Sequence, residues 1–353
     1  MIFNSLQFIL FFLAVSLTYY VISPRFRWVL LLIASCYFYM AFVPEYILIL
    51  FFTIIIDYIA GIFIEKAKGA NRKILLIISL VSNIGILAIF KYYNFFSENI
   101  SYVYELFTGH TRQFQTLDEF LNWGTKVLLP IGLSFHTFQA MSYTIEVYRG
   151  NQKAEKHFGI YALYVMFYPQ LVAGPIERPQ NIFPQLKKYI QFDFENIKSG
   201  LMQMAWGFFK KVVFADRVGI MVDAAYAHNN LANQSGLTLL MATFFYSFQI
   251  YCDFSGYSDI ALGSAKVLGI NLMENFRTPY FSKSISEFWR RWHISLSSWF
   301  KDYVYFPLGG NRVSLPKVYF NIMVVFLLSG FWHGNTWNFV IWGAIHGLYL
   351  IFG

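Results

Sequence analysis

The sequence predicts an all-α, polytopic integral membrane protein. Three observations carry that expectation. The 353 residues are 57% hydrophobic and 21% aromatic. Only 13% are charged, about half the ~25% of an ordinary soluble domain. Apolar runs recur from end to end, and 40 Phe and 25 Tyr must be buried in something,. A large soluble helical protein is the alternative, and the scarcity of charge argues against it.

Apolar spans fall near 5–23, 28–43, 46–64, 74–92, 127–147, 158–173, 201–222, 236–252, 317–332 and 337–352. The first, within MIFNSLQFILFFLAVSLTYYV, lacks a basic leader and a small-residue cleavage site, so it reads as a retained span rather than a signal peptide,. Pro24, Pro44, Pro130, the stretch from Pro169 to Pro184, Pro279, Pro307 and Pro316 mark the joints,. Several spans are shorter than the ~20 residues of a straight crossing, which predicts about 9–11 transmembrane or re-entrant helices. The longest polar insertion runs from Phe95 to Lys126 and contains Asp118 and Glu119. No separate soluble domain, internal repeat or low-complexity tract is apparent, so residues 1–353 read as a single domain.

The net charge of +8 is dispersed along the chain. It forms no basic stripe for nucleic acid and instead marks cytoplasmic loops. Arg25 and Arg27 lie between the first two spans; Lys66, Lys68, Arg72 and Lys73 lie between the third and fourth. Two crossings separate these loops, so both are expected in the cytoplasm and the N-terminus outside. Arg149, Lys153 and Lys156 follow the fifth span on the same side. Cys36 and Cys252 sit in apolar runs and read as inert core residues rather than a disulfide or a metal pair,.

Four stretches carry candidate chemistry. YPQLVAGPIERPQNIFPQL (168–186) is broken by Pro and Gly, and such backbone survives at membrane depth only against protein or a wet cavity,. Glu177 and Arg178 could form an internal ion pair there; an interfacial loop is the equal alternative. Between 246 and 270, Asp253, Asp259, Gln249, Ser255, Tyr257 and Ser258 stand in an apolar setting. They line either a polar pocket or a helix–helix contact, the latter favoured for Asp259.

The stretch 284–312 carries Trp289, Arg290, Arg291, Trp292, His293, Trp299 and Lys301. Helical spacing puts Trp289, Trp292 and Leu296 on one face, as in an amphipathic helix at the cytoplasmic interface. Its arginines could bind anionic lipid or dock an anionic donor. The turn Pro307–Leu308–Gly309–Gly310–Asn311–Arg312 follows,. Finally, His333 and His346 flank the turn after an apolar run. An ionisable group at membrane depth is a functional candidate by default, and a neutral imidazole can take a proton from a hydroxyl. His110, His157 and His228 read as loop residues, and His136 as a core one. Neither GxSxG nor HExxH is present, and no third ligand at metal spacing accompanies His333 and His346.

These residues resemble the membrane-bound O-acyltransferase family, in its bacterial alginate O-acetylase branch. The matching stretches are LPIGLSFHTFQAMSYTIEVYRG (129–150), FYPQLVAGPIERPQ (167–180), FFKKVVFADR (208–217), YCDFSGYSDIALG (251–263), ENFRTPYFSKSISEFWRRWHISLSSWFKDYVYFPLGGNR (274–312) and LLSGFWHG (327–334). The resemblance implies a ring of helices around a central tunnel in the cytoplasmic membrane. It implies transfer of an acyl group, acetyl above all, from a cytoplasmic thioester to a hydroxyl of an exported polysaccharide or of a relay partner. The donor would be acetyl-CoA or an acyl carrier protein, with no bound cofactor and no metal. Partners would be an extracytoplasmic acetyltransferase or export proteins, and membrane lipid. His333 matches the family's catalytic base and His293 its second histidine. Arg290, Arg291, Trp292, Asp253, Asn311 and Trp332 are the expected substrate-binding residues. The PLGGNR turn favours the polysaccharide branch over D-alanyl transfer to teichoic acid. His136 stands where a hydrophobic or aromatic residue is expected. Family members continue with further helices, so the chain is expected to be C-terminally incomplete. A transporter, with Asp253 and Asp259 at a translocation site, and a non-catalytic scaffold for polysaccharide synthesis remain as readings from other classes.

Overall fold

The computed structural model describes residues 1–110, 114–117, 119, 130, 132–172, 174–227 and 234–353. Asp118, Lys126 and His228 fall outside the described residues. Every regular element among them is a helix. In chain order these are α1 (Leu6–Val21), α2 (Arg27–Met40), α3 (Tyr46–Lys66), α4 (Gly69–Thr108), α5 (Leu133–Arg149), α6 (Phe158–Met166), α7 (Tyr168–Leu171), α8 (Pro179–Lys187), α9 (Phe194–Phe208), α10 (Asp216–Tyr226), α11 (Gly236–Val267), α12 (Ile285–Arg291), α13 (Ile294–Phe300), α14 (Leu315–His333) and α15 (Trp337–Phe352). Two π-helical turns, Phe209–Ala215 and Lys301–Tyr305, continue α9 and α13. Among the described residues α3, α4 and α14 are long and apolar enough to cross a membrane, and α1 and α15 are shorter apolar helices.

The helices follow most of the expected spans; the span expected over 158–173 is broken at Phe167 into α6 and α7, the start of that expected over 127–147 lies mostly outside the described residues, and two others run on. The polar insertion expected from Phe95 onward begins as helix, because α4 runs on to Thr108. No Gly or Pro occurs between Gly85 and Gly109 to stop it. Gly109 then ends it in the left-handed conformation (φ 66°), its N–H reaching the Glu105 carbonyl,. The span expected to end at 252 continues to Val267 as α11.

The chain forms two compact units, Met1–Pro44 with Ala162–Arg277 and Glu45–Tyr161 with Thr278–Gly353. In the first, Ser5 caps α1 by accepting the Phe8 N–H at 3.1 Å,. Phe8, Phe11 and Phe38 of α1 and α2 pack with Tyr168, its ring 5.2 Å edge-on to that of Phe11. The continuous rod of α9, the π turn and α10 lies antiparallel against α11. Glycines let them touch: a Cβ on Gly200 would lie 2.7 Å from the Gly263 carbonyl oxygen, and one on Gly207 as close to that of Gly256,. Across the wider π turn two successive lysines reach the same neighbour. Lys210 pairs with Asp259 at 2.5 Å and donates to Ser255 at 3.0 Å; Lys211 pairs with Asp253 and, at 2.8 Å, with Asp216. These pairs let α11 carry two aspartates through an apolar helix. In the broken stretch, buried Glu177 accepts from the Met273 N–H and from Asn181 at 2.7 Å, tying residues 174–178 to 271–275.

In the second unit, α3, α4 and α5 share a buried polar cluster. Asp57 accepts from Ser79 (2.6 Å) and Asn83 (2.8 Å), and Ser79 also reaches Thr144 (3.1 Å). The helices α14 and α15 form a hairpin whose close approach needs Gly330 and Gly343, where a Cβ would fall within 2.3 Å of a facing carbonyl oxygen. Tyr92 of α4 stacks on Phe331 of α14, ring centroids 4.1 Å apart.

Candidate active site

The site is built on the C-terminal end of α14. The last carbonyls of a helix have no partner within it, and here two of them find one on α4. The Tyr92 hydroxyl donates to the Phe331 oxygen at 2.5 Å, and the Lys91 ammonium donates to that of Trp332. Gly334 ends the helix, and nothing larger fits, since a Cβ would lie 2.0 Å from the Phe339 ring. One turn back, the Ser329 carbonyl lies 2.6 Å from Nδ1 of His333. A carbonyl oxygen only accepts, so Nδ1 carries the proton and Nε2 keeps the lone pair. The ring lines a cavity of about 400 Å³ with Phe90, Lys91, Asn94, Gly334 and Phe339. Nε2 is thereby left as the ring's basic nitrogen.

Trp332 lies between His333 and His293 in a chain of ring contacts. Its indole stacks on Phe138 (5.4 Å, 13°) and meets Phe135 edge-on at 5.4 Å. It lies 4.9 Å from the His333 ring and 6.1 Å from that of His293. Phe138 in turn stacks on Trp299 (3.9 Å), whose Nε1 donates to Ser142 at 2.9 Å. The Trp332 indole N–H has no hydrogen-bond partner among the described residues.

The single amphipathic helix expected over 284–312 is interrupted at His293. Ser284 caps α12 by accepting the Glu287 N–H, and the Glu287 carboxylate takes the Lys283 N–H in return,. The helix ends at Arg291, and His293 adopts a left-handed conformation (φ 44°) that starts α13. Such a conformation is unfavourable for a side chain other than glycine, by roughly 1–2 kcal/mol. It is held by a fully packed imidazole, 1% exposed. Burial, and then the neighbouring His333, hold His293 well below the usual histidine pKa, so it is neutral at physiological pH,. The break replaces the shared Trp289–Trp292–Leu296 face. Trp292 stacks on Phe288 at 5.5 Å, Trp289 packs edge-on to Trp342 at 5.8 Å, and Leu296 is buried.

The structure thus brings His293, Trp332 and His333 together and separates the other expected site residues by role. Arg291 is paired with Glu287 at 2.6 Å. The Lys283 N–H first, and Arg291 next, hold that carboxyl below its usual range. Arg290 is exposed and has no ion pair among the described residues. Asn311 is exposed on its turn, which is held by buried Asn321 donating to the Leu308 and Gly310 carbonyls at 3.3 and 3.1 Å. Asp253 lies in the other unit, bound to Lys211. His346 packs between Trp342 (4.7 Å) and Trp289 (5.1 Å), and His136 is buried in α5. Sequence reasoning missed Lys91. Its signal was a lysine at the end of an apolar run, in ILAIFKYYNFF, hidden at the edge of the span taken as 74–92.

The model of the MBOAT, membrane-bound O-acyltransferase family, matches residues 155–353, more than half of the chain. The chain belongs to the membrane-bound O-acyltransferase family. It is accordingly an all-helical, multi-pass membrane protein. The family's probable alginate O-acetylase of Pseudomonas aeruginosa is 39% identical over 99% of this chain and 65% of its own length. The peptidoglycan O-acetyltransferase of Helicobacter pylori is 36% identical over 99% of this chain and 70% of its own. The teichoic acid D-alanyltransferase of Streptococcus thermophilus is 32% identical over 65% of this chain and 58% of its own. The chain therefore spans about two thirds of the first two relatives.

Proposed function

We propose that this membrane-bound O-acyltransferase moves an acetyl group from a cytoplasmic thioester to a hydroxyl of an exported polysaccharide, or of a relay protein serving one. The observation that carries the proposal is the His333 contact: Nδ1 lies against the Ser329 carbonyl, which leaves Nε2 to act as the base, and the ring lines a cavity,. The acceptor oxygen attacks the thioester carbonyl carbon as Nε2 takes its proton. The tetrahedral intermediate then collapses, the C–S bond breaks, and the imidazolium returns the proton to the leaving sulfur. His293 and Trp332 fix the base and seal its inner side. The donor is acetyl-CoA or an acylated carrier protein, steered by exposed Arg290.

In this reading the N-terminal end of α4, beside its basic loop, faces the cytoplasm. From Gly69 to Lys91 the helix climbs 22 residues, about 33 Å, close to the ~30 Å hydrocarbon core. This supports entry of the acceptor from the extracytoplasmic side of the bacterial cytoplasmic membrane. An extracytoplasmic acetyltransferase or export protein would receive or position that acceptor. The single catalytic domain and its central tunnel belong to the same reading. It is tested by reconstituting the protein in vesicles with labelled acetyl thioester and polysaccharide acceptor. Movement of label into ester linkage supports it. Polysaccharide crossing the vesicle wall with no acyl transfer would favour a transporter and sink it.

A further inference from the structure

The His333 cavity contains a cation that the reaction outlined above does not use. Lys91 sits in α4, and its ammonium lies 5.5 Å from the Trp332 ring centroid and 5.7 Å from that of Tyr92. Among the described residues no carboxylate lies within ion-pair distance of it. A half-buried charge without a counter-ion carries a desolvation cost. One use is visible: the ammonium donates to the Trp332 carbonyl at the end of α14, a favourable place for a cation. That contact takes one of its three N–H donors, and a neutral amide could make it equally well. The remaining donors belong to a side chain that lines the same cavity as His333, one residue from the carbonyl that anchors it.

From this geometry we infer that Lys91 is the oxyanion-stabilising group of the acyl transfer. The inference rests on the proposed role of His333 and assigns the other half of the same step. When the acceptor oxygen bonds to the carbonyl carbon, the C=O π pair moves onto the carbonyl oxygen, which becomes anionic. An ammonium fixed in a low-dielectric cavity stabilises that charge and needs no reorganisation to do so. Re-formation of C=O expels the thiolate, protonated by the His333 imidazolium, and the ammonium is left as it began. The cation thus answers a charge that exists only during the reaction, while Tyr92 and Trp332 hold it in place between turnovers.

The test is Lys91→Gln beside Lys91→Arg in the full chain, with kcat and both KM values measured. Gln keeps a donor for the Trp332 carbonyl and removes the charge. The expected loss is about 10²–10³-fold in kcat with both KM values within about twofold, and Arg retains the larger share of activity. A kcat for Lys91→Gln within threefold of the wild type, while His333→Gln is inactive, overturns the assignment and leaves the base intact. A raised KM confined to acidic acceptors overturns it in favour of carboxylate recognition. Failure of both variants to yield folded, detergent-extractable protein overturns it in favour of a helix cap. Full activity in both Lys91→Gln and His333→Gln overturns the underlying reading of the site as well.

Discussion

The imidazole of His293 lies 6.1 Å from the indole of Trp332, and that indole lies 4.9 Å from the His333 ring. The left-handed break between α12 and α13 is what brings His293 inward, and the end of α14 is what brings Trp332. An aromatic spacer therefore links the two histidines.

Trp332→Phe keeps a ring to stack on Phe138 but shortens the spacer and removes the indole N–H. It is expected to lower kcat by roughly ten- to a hundredfold, because small misplacements of a base are costly, while the melting temperature in detergent stays close to the wild type. Trp332→Ala adds a cavity worth about 3–5 kcal/mol and should lower both. Unchanged kcat in Trp332→Phe would remove the indole from the mechanism.

The two arginines expected to act together have different surroundings. Arg290 is exposed and makes no ion pair among the described residues, whereas Arg291 is bonded to Glu287. Arg290→Gln is expected to raise the donor KM several-fold and to flatten its dependence on salt. Arg291→Gln should chiefly affect the stability of α12. Steady-state kinetics at two ionic strengths separate them, and equal effects on donor KM would contradict the distinction.

Most of the helical framework was legible in the sequence, because apolar runs and their Pro and Gly boundaries are local signals. The expected spans near 5–23, 46–64, 317–332 and 337–352 coincide with helices to within a few residues. Local patterning could not show the break at His293, since Trp289, Trp292 and Leu296 fit one helical face equally well. It could not show the π turn at Phe209–Ala215 either, because that turn answers to Asp253 and Asp259, far along the chain in α11. Lys91 was obscured for a different reason: a lysine at the edge of an apolar run reads as the end of a span until the carbonyls of α14 are placed against it.

The glycine contacts between the α9 rod and α11 predict a sharp contrast. Gly207→Ala puts a methyl against the Gly256 carbonyl and should destabilise the protein by about 1–3 kcal/mol through overpacking. Gly85→Ala meets nothing within 4 Å and should stabilise α4 by about 0.5–1 kcal/mol through helix propensity. Thermal unfolding in detergent measures both, and an equal response at the two positions would contradict the packing.

Orientation is checked at Asn71, an exposed residue of the basic segment at the start of α4. In a background with Cys36 and Cys252 replaced, Asn71→Cys is expected to resist an impermeant thiol reagent in sealed cells and to react once the membrane is opened. Ready labelling from outside would reverse the topology.

The central claim is that His333 Nε2 is the base, and His333→Gln tests it most directly. The glutamine amide can still hydrogen-bond to the Ser329 carbonyl but cannot take a proton. Label moved from acetyl thioester to acceptor, measured on variant protein with wild-type yield and melting temperature, should fall by at least ~10²-fold. Transfer at the wild-type rate in that folded variant would contradict the account.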